Sequence, residues 1–230
     1  MAAATIDNLF SVLPSALSAS LFREARVVRL APQQMLFVAG DPGDGCYQVE
    51  EGLLKVVALS PSGGDRILAI LGPGELVGEL SMIDGLPRSA SVTTLRESKL
   101  SFVSRSVFNA VTHKQPEIYR HITALLARRL RDVDDALTAT SFLPLKARTA
   151  RALLGLSDAF GKDVGSGRIL IRQKFSQGDL AAMAGVAREN CSRILQDWTR
   201  RSLVSRLAGY YCLEDKAALE REGRTFSPDV

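Results

Sequence analysis

Apolar and polar positions change in short runs between residues 27 and 102, and then recur at three- and four-residue steps from residue 116 onward. In the first stretch, residues 46–50, 53–59, 66–71 and 90–95 are rich in apolar or β-branched side chains, the mark of half-buried strands. Turn residues separate them at Gly40-Asp41-Pro42-Gly43-Asp44-Gly45, Glu51-Gly52, Pro61-Ser62-Gly63-Gly64-Asp65 and Gly72-Pro73-Gly74. That spacing predicts a succession of short strands forming an all-β barrel or roll, led in by a short helix over residues 6–22. A long helix is predicted over 116–140, with Pro116 suited to its first turn. Along it Ile118, Ile122, Leu126, Leu130, Val133 and Leu137 form a stripe. The stripe is expected to pack on the roll on one side and on a second copy of itself on the other.

Residues 140–144 break the helical pattern, and the domain boundary is placed there. A further amphipathic helix over 145–160 offers Ala147, Ala150, Leu153, Leu154 and Leu156 for burial. Next come a helix around 178–183, a turn at Ala184-Gly185-Val186 and a second helix from about 187, the layout of a helix-turn-helix. At 100° per residue, Arg188, Glu189, Ser192 and Arg193 face one way and Cys191, Ile194, Leu195 and Trp198 the other. Residues 167–171, 203–206 and 210–212 read as strands of a wing.

The 230 residues, 46% of them apolar, suffice for one large or two modest domains. No apolar run approaches a membrane span, and the start Met1-Ala2-Ala3-Ala4-Thr5-Ile6-Asp7 lacks a basic segment ahead of an apolar one, so a soluble, cytoplasmic protein without a membrane partner is expected. Cys46, Cys191 and Cys212 are far apart and form no C-x-x-C pair. This argues against zinc, iron–sulfur and disulfide frameworks, and each is expected to act as a small apolar residue. Net charge is +4, but it is uneven: residues 1–140 carry −1 and residues 141–230 carry +5. Basicity confined to the second half suits a nucleic-acid-binding domain attached to a neutral one, although a solvated basic face has the same composition.

The densest chemistry lies in Gly78-Glu79-Leu80-Ser81-Met82-Ile83-Asp84-Gly85-Leu86-Pro87-Arg88-Ser89-Ala90. A carboxylate and a guanidinium stand nine positions apart at the ends of a short apolar turn. The Arg88 fork suits a phosphate, and Glu79 is a good acceptor for a ribose hydroxyl. Gly78 lets backbone approach a ligand closely, and Ser89 adds a hydroxyl. An ordinary surface ion pair is the simpler alternative. On α-helical residues 188–193 the chemistry is different: Arg suits the O6/N7 edge of guanine, and Glu accepts from cytosine N4.

These two motifs resemble the phosphate-binding cassette and the recognition helix of the cyclic-AMP receptor protein and fumarate–nitrate regulator family. The catabolite activator protein, known for its helix-turn-helix and for bending DNA, is one member of that family. The resemblance covers nearly the whole chain in the same order and implies an α+β fold. Its parts are an N-terminal β-roll (a double-stranded jelly-roll) binding a cyclic nucleotide over 1–115, a dimerisation helix over 116–140, and a C-terminal winged helix-turn-helix over 141–230. It further implies a homodimeric, non-enzymatic transcription regulator with cAMP or cGMP as allosteric ligand, no metal, and DNA and RNA polymerase as partners. Carried over, Gly78, Glu79, Leu80, Arg88 and Ser89 bind the nucleotide. Arg188, Glu189, Ser192 and Arg193 read a near-palindromic, TGTGA-like operator, and Arg168, Arg200, Arg201 and Arg206 are candidates for DNA phosphates.

The resemblance thins at the base contact. Aligning Ala127-Arg128-Arg129-Leu130 puts Val133-Asp134 where cyclic-AMP-responsive members carry a Thr-Ser pair. Asp134, acceptor-only when ionised, suits adenine N6 or guanine N1 and N2, or it faces solvent and touches no base. His113 and His121 read as surface or packing residues rather than haem ligands. Gly72, Gly74 and Gly78 have the wrong spacing for a dinucleotide loop, and no G-x-x-x-x-G-K-[ST], H-E-x-x-H or G-x-S-x-G occurs, which counts against a nucleotide-gated enzyme. A regulator of the same fold that is ligand-independent or senses another signal stays open.

Overall fold

The computed structural model describes residues 13–59 and 64–224. The chain divides between Asp132 and Val133 into two compact units. In the first, α1 (Ser15–Leu21) precedes strands β1 (Arg26–Leu30), β2 (Met35–Phe37), β3 (Gly45–Leu59), β4 (Asp65–Leu71) and β5 (Leu76–Val77). Then come α2 (Glu79–Asp84), β6 (Ser91–Ser104), α3 (Arg105–Lys114) and the first part of α4 (Glu117–Phe142). Residues 6–12 of the expected leading helix lie outside the described residues.

The strands form one antiparallel sheet in the order β1-β6-β3-β4, with β2 added to β6 and β5 to β3. One core lies within the sheet and is built from Leu30, Val49, Leu54, Leu71, Val77, Val92 and Leu100. The other joins the roll to its helices, packing Cys46, Leu76, Met82 and Val103 against Phe108, Ile118, Ile122 and Leu125. Burial of such side chains contributes about 1.5–3 kcal/mol each, so the helices hold the roll shut rather than decorate it.

Two sequence expectations need correction. Glu51-Gly52 does not end a strand: β3 runs unbroken for 15 residues, with register shifts between Val49 and Leu54. Gly52 has φ 109°, and a Cβ there would collide with the Ser98 side chain, so this glycine makes a bulge where β3 meets β6 closely. Likewise the strand placed at 90–95 continues to Ser104, because β6 pairs with β1 and β3 through its polar stretch 96–99.

Helix α4 extends two residues beyond the expected end, to Phe142, before Pro144 permits α5 (Leu145–Phe160) to start. Its stripe is split. Ile118 and Ile122 are buried on the roll and Leu126 packs partly against it, whereas Leu130, Val133 and Leu137 are 62%, 57% and 65% exposed.

The second unit continues through β7 (Gly161–Asp163), β8 (Ile169–Ile171), α6 (Gln177–Ala184), α7 (Arg188–Arg200), β9 (Val204–Leu207), β10 (Tyr210–Leu213) and α8 (Lys216–Arg224). The strands form a small sheet ordered β7-β8-β10-β9, the expected wing with one short strand more. Leu153, Phe175, Leu180, Leu195, Trp198 and Leu213 are buried within it. Cys46, Cys191 and Cys212 are buried free thiols, and burial pushes Cys191 up to about 11. Among the described residues no helix is long and apolar enough to cross a membrane, and no cluster of His, Cys, Asp and Glu is arranged to hold a metal ion.

Candidate functional site

The segment 78–89 folds as a turn, one short helix and a return. Gly78 caps α2 in the left-handed conformation, φ 83°, and a Cβ there would collide with Arg88 Nη1. Any other residue would push the guanidinium away, so the glycine is fixed both by conformation and by contact. Glu79 opens α2 and is 3% exposed; its carboxylate accepts from Arg129 Nη1 on α4. Arg129 Nη2 also donates to the Leu76 carbonyl at 2.6 Å. The buried carboxylate therefore has a cationic partner, without which its desolvation would be severe.

Arg88 is 4% exposed. Nη1 donates to the carbonyls of Gly45 at 2.8 Å and Gly78 at 3.0 Å, and Nη2 reaches the exposed Asp44 carboxylate at 3.4 Å. The guanidinium lies over the Phe37 ring, 4.4 Å from its centroid. Its Nε is buried and has no hydrogen-bond partner among the described residues. Backbone bonds from Gly40 N to Arg88 O and from Arg88 N to Asp41 O, both 2.8 Å, hold the return against the Gly40–Gly45 turn residues. Arg105 Nη2 donates to Ser81 O and Gly43 O, tying the same turn to α2. Ser89 and Leu80 are exposed, and so are Val133 and Asp134 on α4.

Thus Gly78, Glu79 and Arg88 are brought together around one buried corner, with Ser89 at its rim. The spacing did not reveal their protein partners. Arg129 and Asp44 are 50 and 44 residues away from the groups they hold, and no local spacing signals either.

The helix-turn-helix is built by local chemistry. Ser176 and Asp179 form a reciprocal capping box at the start of α6, and Gly185 closes it at φ 61°. Arg148 Nη1 donates to the Gly185 carbonyl at 2.9 Å, which pins the turn to α5. On α7, Cys191, Leu195 and Trp198 are buried, while Arg188, Glu189 and Arg193 stand in solvent and Ser192 is half-buried. Arg193 donates to Asn190 Oδ1 at 2.5 Å along its own helix. The face is free to meet base edges.

The other arginines differ in their freedom. Arg200 is 79% exposed at the side chain, with Asp197 3.8 Å away. Arg201 pairs with Glu222 at 2.7 Å and Asp197 at 3.4 Å, and the Glu222 bond, the largest influence, raises its pKa. Arg168 lies 3.9 Å from Glu214. Arg206 sits over the Tyr211 ring, 5.1 Å from its centroid.

Residues 27–115 match the family model of the cyclic nucleotide-binding domain, and residues 147–222 match that of the Crp-like helix-turn-helix domain. The CRP-like cAMP-activated global transcriptional regulator of Mycobacterium tuberculosis is 30% identical over 213 residues, 93% of this chain and 94% of that protein. The cyclic AMP receptor protein of Thermus thermophilus is 35% identical over 193 residues, covering 84% and 86%. Among solved structures, a CRP-family transcriptional regulator of Thermus thermophilus superposes with TM-score 0.73 at 28% identity, over 85% of this chain and 96% of that one. The c-di-GMP responsive global regulator CLP of Xanthomonas campestris shares the fold, with TM-score 0.78 at 22% identity over 88% and 100%.

Proposed function

This chain belongs to the Crp/Fnr family of DNA-binding transcription regulators, and on that premise we propose that it is a homodimer gated by a cyclic nucleotide. The observation that carries the ligand proposal is Arg88: a buried, ring-stacked guanidinium whose Nε points no hydrogen at any described acceptor. Buried donors are normally paired, and a phosphate oxygen would give this one an acceptor together with a counter-charge. Gly78, Leu80 and Ser89 complete the phosphate side. Glu79 takes the ribose hydroxyl while staying bonded to Arg129, which links the ligand to α4.

Cyclic AMP and cyclic GMP both fit these groups. Val133 and Asp134 are assigned to the base, with Asp134 able to accept from either purine. The exposed Leu130, Val133 and Leu137 form the dimer seam, which gives two copies of α7 for a near-palindromic, TGTGA-like operator. Arg188, Glu189, Ser192 and Arg193 read bases, and Arg168, Arg200 and Arg201 contact phosphates. RNA polymerase is the further partner, the cytoplasm is the location, and no residue is assigned a catalytic role.

Calorimetric titration with each cyclic nucleotide tests the ligand. Hydrogen bonds to charged groups contribute about 1.5–3 kcal/mol, so Arg88→Leu is expected to weaken binding at least tenfold. Equal affinity in the two proteins would remove Arg88 from the site. A ligand-independent regulator is the second reading, favoured by the fact that Glu79 and Arg88 already have protein partners. Saturable heat with neither nucleotide would favour it, and DNA affinity that is unchanged by a bound nucleotide would establish it.

A further inference from the structure

Among the described residues, Asp44 supplies the one carboxylate paired with Arg88, its Oδ1 lying 3.4 Å from Nη2. The partners sit in opposite surroundings: the Arg88 side chain is 3% exposed and that of Asp44 76%. Nη2 is therefore the nitrogen that looks outward, since the group it meets stands in water. Nη1 faces inward and has both of its hydrogens on backbone carbonyls, those of Gly45 and Gly78. An anion arriving from solvent meets Arg88 at Nη2, where Asp44 already stands.

Neither group can leave the other. The guanidinium is held by the two carbonyls and by the Phe37 ring. The Asp44 carbonyl accepts from Arg105 N at 2.9 Å, and the next residue, Gly45, opens β3 opposite Ser104. The carboxylate thus swings about a fixed Cα and stays beside any anion seated on Nη2. The other charges of the corner are engaged elsewhere. Glu79 is compensated by Arg129, and the Asp41 carboxylate accepts from Val38 N at 2.9 Å. Arg105 Nη2 donates to the carbonyls of Gly43 and Ser81. The single charge of Arg88 is therefore shared in advance, and every negative charge on a ligand is opposed by one fixed carboxylate.

We infer that Asp44 is a specificity-determining residue, restricting the corner to phosphates that carry one negative charge. A cyclic phosphodiester carries one, whereas a linear nucleoside monophosphate carries about 1.5–2 at neutral pH. Water that opens the cyclic ester leaves a monoester with one more ionisable oxygen, so the same contact separates the ligand from its hydrolysis product. The inference rests on the nucleotide-binding reading of Arg88 and adds to it the means of rejecting linear nucleotides. Coulomb energy is linear in charge, so neutralising Asp44 strengthens a dianion by the square of the factor by which it strengthens a monoanion. At about 5 Å in water-like surroundings that factor is about four per charge.

The test measures displacement of fluorescent cyclic AMP from the full chain at low salt and about pH 8, where the monoester is close to doubly charged. The competitors are cyclic AMP, adenosine 5′-monophosphate and the methyl ester of that phosphate, with the guanosine series and fluorescent cyclic GMP run alongside. The methyl ester is linear but singly charged, so the two linear compounds separate charge from shape. The wild type is expected to prefer the methyl ester to the 5′-monophosphate. Asp44→Asn, which keeps the size of the side chain, is expected to reduce that preference about fourfold and to bind the cyclic nucleotide about fourfold more tightly. Any disturbance of Arg88 by the substitution weakens both linear compounds alike and leaves their ratio to report charge. A wild type without the preference, or a preference that Asp44→Asn retains, overturns the inference and leaves the nucleotide site in place. So does failure of both linear compounds to compete in either protein, which assigns the discrimination to the shape of the ring. A wild type that binds neither cyclic nucleotide overturns the nucleotide reading, and the role of Asp44 with it.

Discussion

Arg88 in the roll is 4% exposed, donates to two backbone carbonyls and stacks on Phe37, whereas Arg193 on α7 stands in solvent with one bond to Asn190 on its own helix. Glu79 and Glu189 differ in the same way, one buried against Arg129 and the other exposed. A small anion brings little surface of its own, so its receptor must be built in advance and kept dry by the protein. A duplex brings a large charged surface, and side chains that read it can stay hydrated until it arrives. The buried site is therefore part of the fold, while the face proposed to read bases is only carried by it. Substitutions in the first are expected to cost stability as well as binding, and those in the second binding alone.

The largest expected effect falls on the stripe that belongs to neither region. Leu130 is exposed like the reading face but apolar like a core, and in the proposed dimer it is buried. Leu130→Glu would put an unpaired carboxylate in the seam at a cost of about 3–5 kcal/mol. Sedimentation is expected to show a folded monomer. A folded variant that stays dimeric would move the seam elsewhere.

A direct contrast comes next. Arg88→Leu leaves the Gly45 and Gly78 carbonyls without their side-chain donor, and a urea titration is expected to show a loss of about 1–3 kcal/mol. Arg193→Ala is expected to stay within about 0.5 kcal/mol of the wild type. Equal stability changes in the two variants would erase the distinction between built and carried sites. On selected duplexes the order reverses: Arg188→Ala and Arg193→Ala are each expected to relax discrimination at single guanines by about 1–3 kcal/mol.

Glu75 offers a smaller, pH-dependent test of the same contrast. Burial, the largest influence, raises its pKa above the ordinary 4.5, against the pull of the Gly72 amide and of Arg129 and Arg128. The folded state then binds this proton more tightly than the unfolded one. Its stabilising contribution is complete below pH 4.5 and declines as pH rises through the raised value. Urea midpoints measured across that range are expected to fall with pH in the wild type relative to Glu75→Gln. A constant difference between the two would mean that the carboxyl titrates normally.

The order of elements was legible because it is written in periodicity: β-branched runs punctuated by turn residues, then three- and four-residue steps. The exposed side of α7 was legible for the same reason, since one helix carries both its buried residues and the solvent-facing residues proposed to read bases. Glu51-Gly52 misled because a turn and a bulge ask the same thing of a glycine, and only the approach of Ser98 from β6 decides between them. The partners of the buried corner were also beyond reach. Arg129 and Asp44 come to Glu79 and Arg88 through tertiary packing, across 50 and 44 residues, and neither distance is encoded in a local spacing.

The central proposal is that the two regions are coupled. A nucleotide at Glu79 and Arg88 alters DNA affinity only if it binds one arrangement of the dimer better than another, and operator DNA must then tighten nucleotide binding by the same factor. The direct test is the affinity for a selected duplex at fixed salt, measured without ligand, with cyclic AMP and with cyclic GMP. At least one nucleotide is expected to strengthen binding by about 5–150-fold, the usual range of such coupling, and Arg88→Leu is expected to abolish the response. Identical affinity under all three conditions would leave a DNA-binding protein and contradict ligand gating.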